Sequence, residues 1–303
     1  MVGPMQAPPL RRATPDDSRA CQNLLWEAIT DLGMRQGTPL TGTADEWWAV
    51  SEPLHRFLAE HAAEWWVAED AEGNGLIGYA RSIERGGLFE LTEFFVKPSA
   101  QSSGVGRALL ELAFPQGRGE VRSIIATADV RAQARYYAAG TVARFPFFTL
   151  AREPMPAEPA TDLEPMRIEG GADASAAKEI ESAVLGYPRS DAEIRWLTER
   201  REGWVYQREG RDIGFAFVGT RGSGPVAALD PADQPDMLLH VEDRAHALGV
   251  EKLELGVPSL NEVAVRHLLG RGFRIDPWFN LLMSDKPFGQ FDRYIGFDPP
   301  IFL

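Results

Sequence analysis

The two halves of this chain repeat one another at a nearly fixed offset, and that repeat constrains the fold more than any other feature. Trp66-Val67 answers to Trp204-Val205, Gly78-Tyr79-Ala80 to Gly214-Phe215-Ala216, Pro98 to Pro231, Asp129 to Asn261, and Gly140 to Gly272. The offset drifts only from 138 at Trp66 to 132 at Gly140, the mark of an internal duplication. Much of what would match residues 30–60 is missing from the second half, so the repeat is shortened. A length of 303 residues is also too great for one ordinary core and suits two. Residues 152–165 hold four prolines and few large apolar groups, which reads as a semi-extended linker between the two cores.

Local patterns give each half a mixture of strands and helices. Leu10 to Ala13 reads as a short strand, and Thr14-Pro15-Asp16-Asp17 supplies the start of an amphipathic helix that runs to about residue 32. A second helix fits Ala44 to Ala62. Trp65 to Glu69, a Gly-containing turn and Leu76 to Ile83 form a hairpin, and Leu88 to Val96 is an apolar strand. A helix from Val105 to Leu112, a strand near Ile124 and a helix from Ala132 to Ala139 complete the unit. This order predicts an α/β layer fold, in which each repeat is a central mixed sheet flanked by helices.

Composition narrows the function. Hydrophobic residues make up 44% and charged residues 25%, the mixture of a soluble globular protein. The net charge of −13 leaves no electrostatic footing for nucleic acid or anionic lipid, so neither is an expected partner. Backbone N–H groups can still hold a phosphate locally. Cys21 is the single cysteine, which excludes an intrachain disulfide or a cysteine zinc cluster and points to a reducing cytoplasm. The first residues lack an apolar run and no later stretch is long enough to span a bilayer, so a cytoplasmic location is expected. His240 and His246, six apart on a predicted helix, miss the spacing that places two metal ligands on one face, and no metal is expected.

The stretch that carries chemistry is Leu91-Thr-Glu-Phe-Phe-Val-Lys-Pro-Ser-Ala-Gln-Ser-Ser-Gly-Val-Gly-Arg107. A buried strand runs into a tight glycine-containing loop and then into a helix. Unpaired first-turn N–H groups and the positive end of the helix dipole make such a junction an anion site. Downstream lies Asp129-Val-Arg-Ala-Gln-Ala-Arg-Tyr136-Tyr-Ala-Ala-Gly140.

These two segments resemble the GNAT family of acyl-CoA-dependent N-acyltransferases. The family's pyrophosphate loop reads Gln/Arg-x-x-Gly-x-Gly/Ala, matched by Gln101, Gly104 and Gly106. Its later segment, Asn-x-x-Ala-x-x-x-Tyr-x-x-x-Gly-Phe, is matched at Ala132, Tyr136 and Gly140, with Asp129 at the Asn position and Thr141 at the Phe position. The resemblance implies that Phe95 and Val96 lend backbone groups to the pantetheine arm of acetyl-CoA. Gln101, Ser102, Ser103, Gly104, Val105, Gly106 and Arg107 would hold the pyrophosphate, with Asp129 beside the cofactor arm. Tyr136 would then protonate the departing thiolate, whose intrinsic pKa is about 8.5. A lysine-like amine must lose a proton before it attacks, and the strand carboxylates Glu90 and Glu93 are candidate bases. Strict alternation along a strand places residues three apart on opposite faces, so only one of them is expected to face the cleft, and the resemblance implies Glu93, which lies where many family members carry a glutamate.

In the second half the loop glycines give way to Met237 and Leu239, Pro235 removes a backbone donor, and Leu268 stands where Tyr136 does. The expected organisation is thus two GNAT-like domains in tandem: a catalytic domain over 1–151, the linker over 152–165 and a degenerate copy over 166–303. The aromatic segment from Pro287 is expected to pack across the domain junction, with a dimer contact as the alternative. Trp47 or Trp48 could border a substrate cleft, whereas Trp65 and Trp66 suit core packing. The expected reaction is acetyl transfer to a primary amine of a small molecule or peptide, by a monomer with an internal pseudo-dimer or by a homodimer. The competing class is a non-catalytic acyl-CoA-binding sensor or interaction protein on the same fold. A nucleotide-phosphate binder lacks the Gly-Lys-Ser/Thr sequence it would need after the loop.

Overall fold

The computed structural model describes residues 8–101, 104–158 and 162–297. They form two compact units, Met1–Ile124 with Asp129–Val142, and Ile125–Ala128 with Ala143–Leu303. The first unit runs β1 (Leu10–Arg12), α1 (Ser18–Gln36), α2 (Ala44–Glu60), β2 (Glu64–Glu69), β3 (Leu76–Arg85), β4 (Leu88–Val96), α3 (Val105–Ala113), the first part of β5 (Val121–Thr127), up to Ile124, and α4 (Val130–Ala138). Strands β1 to β4 pair antiparallel in sequence order, and β5 joins β4 in parallel.

Local chemistry sets the ends of these elements. α1 stops at Gly37, whose φ of 74° is a left-handed conformation that glycine adopts without a Cβ penalty. α2 begins with a capping box: the Thr43 hydroxyl accepts from the Glu46 N–H and the Glu46 carboxylate accepts from the Thr43 N–H. Such a cap contributes about 1 kcal/mol.

Alternation along β3 divides the first unit into two layers. Tyr79, Arg81, Ile83 and Arg85 face one way, where Cys21, Leu24 and Leu25 of α1 pack with Trp65, Val67 and Tyr79. Gly78, Ala80 and Ser82 face the other way, toward α3. A Cβ on Gly78 would lie 2.9 Å from Leu109 Cδ1, and the Ser82 hydroxyl donates to the Ala113 carbonyl over 2.6 Å. Leu109 and Val105 are buried in that layer, each contributing roughly 1.5–3 kcal/mol.

The second unit repeats this order: β7 (Glu164–Arg167), α5 (Ala172–Leu185), α6 (Asp191–Thr198), β8 (Glu202–Arg208), β9 (Arg211–Val218), β10 (Val226–Ala228), α7 (Gln234–Ala247), β11 (Leu253–Pro258), α8 (Glu262–Gly270) and β12 (Arg274–Ser284). The strands from β7 to β10 again pair antiparallel in sequence order. Trp204 faces Ala216 in the register as Trp66 faces Ala80. The shortening expected opposite residues 30–60 is real: both helices persist, but α5 and α6 have 14 and 8 residues where α1 and α2 have 19 and 17.

Three features differ from the sequence reading. β6 (Val142–Arg152) follows α4, and from Ala143 onward it belongs to the second unit, ahead of the domain boundary expected at 151. It pairs antiparallel with β11, and Leu150 sits in the core built by Met237, Val241, Leu255 and Leu268. Next, the segment read as a strand and loop up to Leu239 is largely helix: the 3-10 turn Pro231–Asp233 runs straight into α7. Last, a thirteenth strand, β13 (Tyr294–Ile295), returns to pair with β10. The rings of Phe288 and Phe291 meet Tyr187, Phe145 and Phe147, all within the second unit.

Candidate active site

β4 and β5 pair only from Leu88–Val121 to Leu91–Ile124, after which the ladder ends. A bulge causes this change. Arg81 faces Glu93 and Ser82 faces Leu91, so Thr92 is an extra residue in β4, and its hydroxyl donates to the Arg81 carbonyl over 3.0 Å. From Thr92 to Val96 the strand is held by β3 on one edge, and the register gives it no β5 partner on the other. Backbone groups there point away from the sheet, where an extended ligand can use them.

β4 leads through the turn Pro98–Ala100 to α3. Gln101 Nε2 donates to the Val96 carbonyl over 3.4 Å and ties the loop back to the strand. Ser102 and Ser103 lie outside the described residues. Gly104 is the N-cap of α3 with φ 90°, a conformation that a side chain strains. The first-turn N–H groups, from Val105 and Gly106, have no partner within the helix. Gly106 is a close-contact glycine: a Cβ would stand 3.1 Å from Phe94 Cζ and 3.4 Å from Arg135 Nε. Two glycines at the start of a helix, with Arg135 beside them, make a junction that can take an anion such as a pyrophosphate. Arg107 points outward and pairs with Glu111, one turn along.

α4 supplies the aromatic side of the site. Asp129 caps it by accepting from the Arg131 N–H over 3.0 Å. Burial raises the Asp129 pKa, but hydrogen bonds and charge from Arg131 and Arg35 outweigh it and hold the carboxyl below its ordinary value. Tyr136 is buried, and its ring meets Phe94 edge to face at 5.9 Å. Burial raises the pKa of this hydroxyl, with the Asp129 charge adding to it, so Tyr136 stays protonated near neutrality. Thr141 turns inward and its hydroxyl donates to the Tyr136 carbonyl over 2.9 Å, a use that the motif's phenylalanine could not serve.

Glu90 and Glu93 share one face of the sheet, contrary to strict alternation. Glu93 faces Arg81 and Glu90 faces Ile83, two residues apart on unbulged β3, so Thr92 has restored the phase. Both carboxylates are buried, 1% and 2% exposed, in the layer of α1 and α2. Glu93 accepts from Arg81 and from the Tyr79 hydroxyl, with His55 Nδ1 at 3.5 Å. Glu90 has Arg85 at 3.8 Å. Arg81 is fully buried, donates also to the His55 carbonyl and lies 4.6 Å from the Trp65 ring centre. Burial lowers the His55 pKa and raises that of Tyr79, which keeps both neutral at pH 7.

Sequence reasoning named the two carboxylates and passed over their partners Arg81, Tyr79 and His55. The signal was present, since arginines at 81 and 85 interrupt an apolar strand just as the glutamates interrupt the next. Phe94 and Arg135 also escaped, because their closeness to Gly106 depends on how β4, α3 and α4 meet. Trp65 is buried, whereas Trp47 is 39% exposed beside Trp26 and Trp48 stacks on His55. Among the described residues no group of histidine, cysteine, aspartate and glutamate side chains could hold a metal, and no helix is long and apolar enough to cross a membrane.

Residues 61–140 match the family model described as acetyltransferase (GNAT) domain. No curated protein sequence matches the chain. A Pyrococcus horikoshii protein assigned provisionally as an acetyltransferase is 16% identical, with a TM-score of 0.71 over 96% of this chain and 94% of its own. A GCN5-related N-acetyltransferase from Sphaerobacter thermophilus is 18% identical, with a TM-score of 0.62 over 92% of this chain and 96% of its own. A tandem GNAT protein of the clavulanic acid biosynthesis pathway is 15% identical, with a TM-score of 0.58 over 92% of this chain and 99% of its own. The bulged, diverging β4, the glycine-capped α3 and Tyr136 all fall within the span that the family model matches, and the chain has the fold of solved tandem GNAT proteins.

Proposed function

We propose that the chain is an N-acyltransferase that moves an acetyl group from acetyl-CoA to a primary amine, with its working site in the first unit. One observation carries this reading: the open edge Thr92–Val96 leads directly to the glycine-capped start of α3, with Phe94 and Tyr136 packed together beside it. An extended thioester arm lies along the strand edge and its diphosphate sits at Gly104 to Gly106. Tyr136, kept protonated by burial, donates its proton to the departing thiolate sulfur.

The amine reaches the acyl carbon as the free base. Glu93 is buried and already engaged by Arg81 and the Tyr79 hydroxyl, so it orients the strand and sets the local charge. Glu90, on the same face with Arg85 at 3.8 Å, is the second carboxylate of the site and the other candidate for taking the amine's proton through water. Leu268 in the second unit occupies the place of Tyr136, which leaves the copy without this donor.

Titration of acetyl-CoA by calorimetry tests the reading. One molecule is expected to bind per chain, and the Gly104→Val, Gly106→Val double variant is expected to bind none. Its melting temperature is expected to fall by several degrees, since a side chain at the positive φ of Gly104 costs about 1–2 kcal/mol and one at Gly106 crowds Phe94 and Arg135 at a cost of roughly 1–3 kcal/mol. Two molecules per chain would refute the single site; no binding by the unaltered chain would refute the acyltransferase reading.

A further inference from the structure

In the second unit the strand edge that matches the open edge of β4 is already filled. Gly214, Phe215 and Ala216 pair with Ala228, Ala227 and Val226, just as their repeat partners Gly78, Tyr79 and Ala80 pair with Val96, Phe95 and Phe94. β10 is therefore the counterpart of the part of β4 that has left β5. On its far edge lies β13, with Val226 opposite Ile295 and Ala227 opposite Tyr294. Ile295 and Tyr294 thus stand where a ligand of the first unit would run beside Phe94 and Phe95.

The next residues close the other side. The Gly296 N–H donates to the Gly256 carbonyl of β11 over 2.8 Å, so the segment bridges β10 and β11. Asn261, the repeat partner of Asp129, is fully buried and donates from Nδ2 to the Tyr294 carbonyl over 3.2 Å. The Tyr294 hydroxyl receives a hydrogen bond from Arg189, itself paired with Glu181. Gly224 permits the approach, since a Cβ there would stand 2.5 Å from the Gly296 carbonyl oxygen. At the phosphate end α7 begins three residues before Met237, which packs on Gly214 as Val105 packs on Gly78 from the first position of α3. Measured from these contacts, α7 begins nearly one turn of helix earlier than α3.

We propose that the second unit retains the acyl-CoA slot as a peptide-binding site, and that its ligand is the chain's own segment 294–297. The assignment of the slot rests on the acyltransferase reading of the first unit. The segment satisfies the strand edge and the Asn261 amide that an absent ligand would leave bare, so the second unit completes its sheet without a small molecule.

Hydrogen exchange on the full chain provides the first test. The Gly296 amide is expected to be among the protected group of the second unit, and Asn261→Ala is expected to speed exchange of residues 294–297 by about tenfold, with β8 and β9 unchanged. Uniform acceleration, or none, would overturn the proposal. A chain ending at Lys286, with a synthetic peptide of residues 287–303, provides the second. One-to-one binding of the peptide with recovery of the melting temperature is expected, while acetyl-CoA stoichiometry stays at one. A truncated chain that still unfolds cooperatively and binds one acetyl-CoA, yet rejects the peptide or takes a second acetyl-CoA in its place, would overturn it. Loss of acetyl-CoA binding to the first unit alone would refute only the acyltransferase reading, because peptide binding is read separately.

Discussion

Replacing Arg81 by methionine is expected to destabilise the protein by about 3–5 kcal/mol, the cost of leaving one member of a buried ion pair without its partner. Arg81 is fully buried and Glu93 is 2% exposed, so solvent does little to screen the loss. Methionine keeps most of the apolar stem but removes the guanidinium that lies over Trp65 and every Arg81 donor to Glu93 and to the His55 carbonyl. Of the groups on Glu93, the Tyr79 hydroxyl and a neutral His55 then remain, and neither carries charge. Against a typical total of about 5–15 kcal/mol, the loss is a large fraction of stability. Urea unfolding measures it. Adding Glu93→Leu to Arg81→Met removes the stranded charge and is expected to restore more than half of the loss, because an apolar pair of similar volume can replace a buried ion pair. A loss under about 1 kcal/mol in the single variant would show that the pair does not hold the α1 and α2 layer on the sheet.

This network also marks where sequence reading stops. The duplication fixed the element order of both halves, because equivalent residues at a steady offset must share strands and helices. Gln101, Gly104 and Tyr136 were legible as a motif, since glycine and tyrosine are placed by short-range needs of turn and helix. Thr92 was not: one inserted residue in β4 shifts the phase of every residue after it, and nothing in the alternating pattern records the shift. β6 was missed because its partner β11 lies a hundred residues away in sequence, and Pro146 interrupts its strand pattern. The segment after Pro287 showed its aromatic character plainly. Its register against β10 could be read only after β9 and β3 had been matched.

Tyr136→Phe is expected to lower kcat for acetyl transfer by about 10²–10³-fold, within the range that a positioned proton donor supplies. The substitution removes one oxygen and keeps the ring that meets Phe94, while the Thr141 bonds go to the backbone carbonyl and are untouched. The melting temperature and the KM for acetyl-CoA are therefore expected to change little, which separates loss of chemistry from loss of fold or binding. The donor's role also predicts how the defect depends on the leaving group. A thioester whose thiol has a pKa well below about 8.5 departs without a proton, so the variant is expected to approach the unaltered chain with such a donor. Burial raises the Tyr136 pKa, so the hydroxyl is loaded throughout the neutral range and its loss is felt equally across it. A defect that persists undiminished with the easily expelled thiol would assign Tyr136 to positioning of the acyl group; unchanged kcat with acetyl-CoA would remove it from the reaction.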